Sequence, residues 1–192
     1  MLMSPRTTKQ YEEIREERKS QIKEVALEII FEEGIQNTSI SKIAKRAGIS
    51  KGLMYNYYES KEEMIQEIMF DGLDQFIRFF DPNHDGILTE EEVRYFIDEV
   101  FNVIKSNIKY WRVYFSVMLQ PKVMQLFQEK FIQVIEPFMK TVVAYFERKG
   151  YENPYVEARL IAAALDGIGF HYIIDPEHFP LEEIKERLYQ LI

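Results

Sequence analysis

The chain has 192 residues, 46% hydrophobic and 29% charged, with a formal net charge of −8 and no cysteine. That length can bury the core of one or two compact domains, and the missing cysteines exclude a disulfide framework and any thiolate metal site. No apolar run reaches the roughly 18 residues of a membrane span, and the opening MLMSPRTTKQ lacks the apolar stretch of a signal peptide, so a cytoplasmic location is expected.

Almost every segment reads as helix. Ile14, Ile22, Val25, Ala26, Ile29 and Ile30 fall largely at three-to-four spacing within 12–33, and Gly34 stops the pattern. Thr38 or Ser39 can cap a short helix that holds Ile40, Ile43 and Ala44. The turn AGIS follows, and Ser50 caps a second short helix, KGLMYNYY. Ser60 and Glu63 form a capping box for a helix running to about Phe80. After a turn at 81–89, further helices are expected at about 90–106, at 108–119, from near Pro121 to Gly150, from Asn153-Pro154 to near Asp175-Pro176, and from Pro180 onward. The fold class is therefore all-α: a three-helix N-terminal unit, residues 1–60, and a larger helical body, residues 61–192.

Two short helices joined by a tight, Gly-containing turn suggest a helix-turn-helix. In the second, Ile49, Met54 and Tyr58 can face inward. Lys51, Asn56 and Tyr57 can face outward, with Tyr55 near the boundary. Such a face suits a major groove, because Lys donates to guanine edges or phosphates, Asn pairs with adenine and Tyr hydroxyls reach phosphates. Charge agrees locally: residues 37–61 hold five Lys or Arg against one Glu, although residues 59–192 carry 14 basic and 24 acidic side chains. Screening beyond about 8–10 Å lets a basic patch on an acidic body bind phosphates. A merely solvated face would show the same charges.

The motifs here resemble the TetR family of bacterial transcriptional regulators over roughly residues 15–70. The matching residues are Gly34 before Thr38-Ser39, Ile43-Ala44, Ala47-Gly48-Ile49-Ser50, Gly52, and Tyr55-Asn56-Tyr57-Tyr58 followed by Ser60-Lys61-Glu62. The resemblance implies that Lys51, Gly52, Leu53, Tyr55 and Asn56 face bases or adjacent sugars of an operator. It also implies that Thr38, Ser39, Tyr57 and Lys61 hold phosphates. Tyr58 stands where Phe is more usual, so its hydroxyl needs a partner or water.

The resemblance further implies a ligand-sensing, dimer-forming second domain and a repressor released from a palindromic operator. YWRVYFSVML (110–119) and FQEKFIQVIEPFM (127–139) are dense in aromatics and Met. Any one of these residues reads first as core. Together they favour a roomy apolar pocket, with Trp111, Tyr114, Phe115, Met118, Phe131, Phe138 and Phe170 as candidates for a small apolar or aromatic ligand. Small residues in ARLIAAALDGIGFHYII (158–174), namely Ala162, Ala163, Ala164, Gly167 and Gly169, permit close helix approach. With 180–192, this stretch fits the homodimer interface that the resemblance implies.

DPNHDGILTEEE (81–92) additionally resembles an EF-hand calcium loop. Asp81, Asn83 and Asp85 would give side-chain oxygens, Ile87 its carbonyl, Thr89 a water and Glu92 two oxygens, with Gly86 at the sharp turn. A plainer reading covers most of it: Asp81-Pro82 ends one helix, Asp85-Gly86 is a turn signal and Thr89 to Glu92 is a capping box. Ca2+ is thus an optional cofactor, and a calcium-binding sensor is the alternative to a DNA-binding regulator. Three scattered His and no nucleophile–base constellation give no support to an enzyme.

Overall fold

A computed structural model describes residues 7–192, the side chains of residues 122, 126 and 127 excepted. Among the described residues there are nine α-helices, one 3-10 turn and no strand: α1 Thr8–Glu33, the turn Ile35–Asn37, α2 Ile40–Arg46, α3 Lys51–Met54, α4 Lys61–Ile77, α5 Glu90–Ser106, α6 Ile108–Met118, α7 Pro121–Arg148, α8 Pro154–Ile174 and α9 Leu181–Tyr189. The expected all-helical architecture is present. The chain divides into two compact units, Met1–Met69 and Phe70–Ile192.

In the first unit α1 starts earlier than its apolar pattern does. Thr7 and Gln10 form a reciprocal capping box there, which satisfies end N–H groups without any burial. The buried face of α1 begins only at Ile22 and continues through Ala26, Ile29 and Ile30. It packs against α2 and the 3-10 turn, and Ile40, Ile43, Ala44, Met54, Tyr58, Met64, Ile65 and Ile68 are further buried side chains of this unit. Each large side chain fully withdrawn from water contributes about 1.5–3 kcal/mol against the entropy of ordering the chain.

The second unit is a bundle in which α8 packs against α5, α6 and α7. Its centre is built from Ile97, Phe101 and Ile104 on α5, Trp111, Tyr114 and Val117 on α6, Tyr145 and Phe146 on α7, and Ala158, Ile161 and Ile173 on α8. Gly72 and Gly169 lie close against neighbouring side chains. A Cβ at Gly72 would crowd the Tyr110 hydroxyl and the Tyr114 ring, and one at Gly169 would stand 2.9 Å from Cδ1 of Ile104, so these side chains would have to shift. α9 is tied down by polar contacts: the Tyr189 hydroxyl donates to Asp98 at 2.6 Å and the Lys185 ammonium lies 2.5 Å from the same carboxylate. Burial and the Asp98 contact together push the Tyr189 hydroxyl up to about 12, so it stays a donor at neutral pH.

Candidate nucleic-acid interface

The helix-turn-helix is built by three caps. The Ser39 hydroxyl accepts from the N–H of Lys42 at 3.3 Å and starts α2, and that of Ser50 accepts from the N–H of Leu53 at 3.0 Å and starts α3. Between them, Gly48 adopts φ +68°, a left-handed conformation that costs glycine nothing. The N–H of Ile49 then reaches the Ala44 carbonyl at 3.0 Å and that of Gly48 reaches Lys45 at 3.3 Å, closing the end of α2 as a Schellman motif.

α3 is shorter than KGLMYNYY suggested. After Met54 the hydrogen bonds tighten to three-residue spacing, Asn56 to Leu53 at 3.1 Å and Tyr57 to Met54 at 3.0 Å, so 55–57 is a turn. The facing is nevertheless as the pattern required. Met54 and Tyr58 are buried, while Lys51, Gly52, Leu53, Tyr55 and Asn56 are exposed and Tyr57 is half-buried. The Lys51 ammonium lies 5.9 Å from the centre of the Tyr55 ring, which gathers a cation and a phenol on the outer face.

Two of the expected phosphate contacts are placed differently. Thr38 is only 3% exposed, and its hydroxyl donates to the Gly34 carbonyl at 2.9 Å. Its side chain braces the entry to α2 from inside and does not reach the surface. Lys61 is half-buried and donates to the Ile35 carbonyl at 3.1 Å, which ties the start of α4 to the 3-10 turn. Ser39 is exposed and still acts as a cap.

Ion pairs decide which cations remain for a polyanion. Lys42 is held by Glu33, and Arg46 by Glu32 at 2.6 Å, so both are turned back onto α1. The Glu32 hydrogen bond raises the Arg46 guanidinium still further above its usual range. Lys45 and Lys51 are exposed and form no ion pair among the described residues. Lys45 was not singled out from the sequence, where nothing distinguishes it from Lys42 and Arg46; the glutamates that separate them lie on α1.

Beneath the reading face, the Tyr58 hydroxyl donates to Glu67 at 3.4 Å. Glu67 also receives Lys19 at 2.8 Å and Lys23 at 3.1 Å. Burial alone would push this carboxyl up, but the two ammonium groups outweigh it and hold Glu67 below the usual carboxylate range.

The description "Bacterial regulatory proteins, tetR family" matches residues 22–68, the segment that contains this helix-turn-helix. The chain is 25% identical over 186 residues to the HTH-type transcriptional regulator PksA of Bacillus subtilis, covering 91% of this chain and 88% of that protein.

Residues 22–68 therefore carry a helix-turn-helix of the tetR type.

The match and the relative support a DNA-binding, helix-turn-helix transcriptional regulator. Two solved structures share the fold along nearly the whole chain. A transcriptional regulator from Aquifex aeolicus aligns with a TM-score of 0.67 at 29% identity, over 90% of this chain and 96% of the other. The fatty acid degradation regulator FadR from Bacillus halodurans aligns with a TM-score of 0.72 at 19% identity, over 91% and 93%.

Within the second unit the seven candidate ligand residues separate into groups. Trp111 is 1% exposed, its indole N–H donates to the Val103 carbonyl at 3.0 Å, and its ring lies 4.4 Å from Phe76 and 5.1 Å from Tyr114. It is therefore a packed core residue. Phe115 lies 5.8 Å from Tyr114 and 6.2 Å from Phe170, which extends the cluster to the surface, because Phe170 is 41% exposed. Phe138 belongs to a separate group, stacked on Phe80 at 3.8 Å and edge-on to Phe96 at 6.1 Å. Met118 and Phe131 are half-buried on α6 and α7. Burial pushes the Tyr110 and Tyr114 hydroxyls well above the phenol range, so both are neutral hydrogen-bonding groups in an apolar setting.

In the 81–92 loop each of the four candidate ligand side chains has an oxygen engaged within the loop. Asp81 accepts from Gly86 N–H at 2.9 Å, Asn83 from Asp85 N–H at 2.9 Å and Asp85 from Ile87 N–H at 2.7 Å. Glu92 accepts from the Asn83 amide at 2.8 Å and from the Thr89 N–H at 2.8 Å, which completes the capping box of α5. Among the described residues no three His, Asp or Glu side chains are gathered closely enough to hold a metal ion. The EF-hand resemblance thus yields, as folded here, a helix connector. No described helix is long and apolar enough to cross a membrane.

Proposed function

We propose that the chain works as a homodimeric repressor that binds a near-palindromic operator and leaves it when a small apolar or aromatic molecule enters the helical body. The reading face carries this proposal: Lys51, Leu53, Tyr55 and Asn56 stand exposed over a buried Met54 and Tyr58, with Lys51 unpaired by any carboxylate among the described residues. Such a face offers donors to base edges, and its role is tested by Lys51→Ala in a binding titration.

A strip on α8 supports the dimer. Val156, Leu160, Ala163, Gly167, Phe170 and Ile174 recur at alternating four- and three-residue spacing, and four of them are large apolar side chains left exposed. That is the seam of paired helices, and it suits a second copy of the same helix because two symmetric reading heads need a two-fold partner. The ligand proposal rests on the aromatic group around Tyr110, Tyr114, Phe115 and Phe170, which sets two uncharged phenols beside apolar rings. Its test is a shift in Trp111 emission on addition of an aromatic compound, together with a matching loss of DNA affinity.

A second reading rests on one atom. Asp81 Oδ1 is buried without a hydrogen-bond partner among the described residues, at the first position of the calcium-like loop. We infer that Ca2+ can use this oxygen together with Asn83, Asp85, the Ile87 carbonyl and Glu92 once Glu92 turns from Thr89. A bound ion would supply a structural cross-link between the ends of the loop.

A further inference from the structure

Five of the ten described cations of the first unit are held in ion pairs. Lys42 and Arg46 are paired with glutamates of α1, Lys19 and Lys23 with Glu67, and Lys9 with Glu13. Arg15 differs. It lies on the first half of α1, seven residues before Ile22, where that helix begins to be buried. It is exposed and forms no ion pair among the described residues. Its Nη2 donates to the main-chain carbonyl of Asn56 at 3.0 Å, and its guanidinium carbon lies 5.3 Å from the centre of the Tyr57 ring.

We infer that Arg15 is a further operator contact, gripping a backbone phosphate beside Tyr57 while it holds the end of the reading turn in place. A guanidinium has five N–H donors in a planar fork. One is used on Asn56, and the ring face of Tyr57 fixes the plane of the group. The rest of the fork and the full positive charge remain, next to two residues of the reading segment. A phosphate oxygen is the acceptor that matches this fork and neutralises its charge. The Asn56 carbonyl is one of the last in the α3 segment, and a cation there also masks a partial negative charge that would otherwise repel the DNA backbone. Arg15 thus joins the operator surface although it is 41 positions from Asn56.

The experiment uses the full chain and a duplex enriched by the wild-type protein from a random 30-base-pair pool, with a scrambled duplex beside it. Affinity is measured against salt for wild type, Arg15→Gln, Arg15→Lys and Arg78→Gln, the last being an exposed arginine of the second unit. Arg15→Gln should flatten the log–log salt dependence by about 0.9, the share of one phosphate, and weaken both duplexes by the same factor, about tenfold. Arg15→Lys should keep the wild-type slope and recover only part of the affinity, because an ammonium lacks the planar fork. Arg78→Gln should match wild type. An unchanged slope in Arg15→Gln, a loss confined to the enriched duplex, or a fall in thermal midpoint large enough to explain weaker binding would overturn the assignment. Failure of the wild-type protein to enrich any duplex would instead strike at the operator-binding reading itself.

Discussion

The hydroxyl of Tyr58 donates to the carboxylate of Glu67 at 3.4 Å, and the same carboxylate is paired with Lys19 and Lys23. A tyrosine in this core position is therefore not a stray polar group. Because the bond is long, Tyr58→Phe should change stability by less than about 1 kcal/mol. Glu67→Gln leaves two half-buried ammonium groups facing a neutral amide and should cost about 1–2 kcal/mol, discounted for partial exposure. The Glu67 carboxyl is held below its unfolded value, so the stability it contributes is present above the unfolded pKa of about 4.3 and lost as pH falls through the lower folded value. Thermal midpoints at pH 7 and pH 3 check this: the gap between wild type and Glu67→Gln should narrow at the lower pH.

Lys51→Ala removes the cation of the outer face without touching the core, since Lys51 is exposed and Met54 and Tyr58 fill the inner face. It should weaken the enriched site by about 1–3 kcal/mol and relax preference at one or two base pairs, with the thermal midpoint unmoved. A titration showing equal loss on scrambled DNA would make Lys51 a phosphate contact instead.

Two glycines of one helix should behave oppositely. Gly169 meets Ile104, and a leucine there must displace the end of that side chain and strain the α5–α8 contact, at a cost of about 1–3 kcal/mol. Nothing lies within 4 Å of a Cβ built at Gly167, so Gly167→Leu should leave the subunit folded while it blocks the α8 seam. Sedimentation should find folded monomer for Gly167→Leu and for Ala163→Glu, and aggregate or unfolded chain for Gly169→Leu. A dimer that survives both of the first two changes would place the interface on another face.

Calorimetry on metal-stripped protein tests the 81–92 loop. Calcium heat is expected in wild type and should be lost in Asp81→Ala, which removes the buried Oδ1, and in Glu92→Gln, which removes a carboxylate charge. No heat at millimolar calcium, or equal heat in all three proteins, would leave the loop as the connector its hydrogen bonds already make.

Helix positions were legible because their ends carry local chemistry: Thr89 with Glu92, Asn153 with Val156 and Pro121 at a first turn all sit where the sequence put them. The inward and outward faces of 49–58 were legible for the same reason, since side-chain spacing alone sets them. What a side chain does across the fold was not. Thr38, Lys42, Arg46 and Lys61 look alike as surface polar residues in sequence, and only the fold shows the partners Gly34, Glu33, Glu32 and Ile35 that hold them. Arg15 shows the converse, since its neighbours Asn56 and Tyr57 lie far along the chain. The sequence did not distinguish the small residues in α8 from one another, whereas in the fold Gly169 meets the buried Ile104 and Gly167 meets nothing within 4 Å.

The most direct test of operator binding is enrichment from a random 30-base-pair pool by the pure 192-residue chain, without added ligand. Two reading segments related by the two-fold axis of a dimer should recover a near-palindromic sequence with half-sites about one helical turn apart, bound at a stoichiometry of two chains or a multiple of two. Repeated rounds that enrich no sequence, or that enrich a single unsymmetrical site bound by one chain, would contradict it.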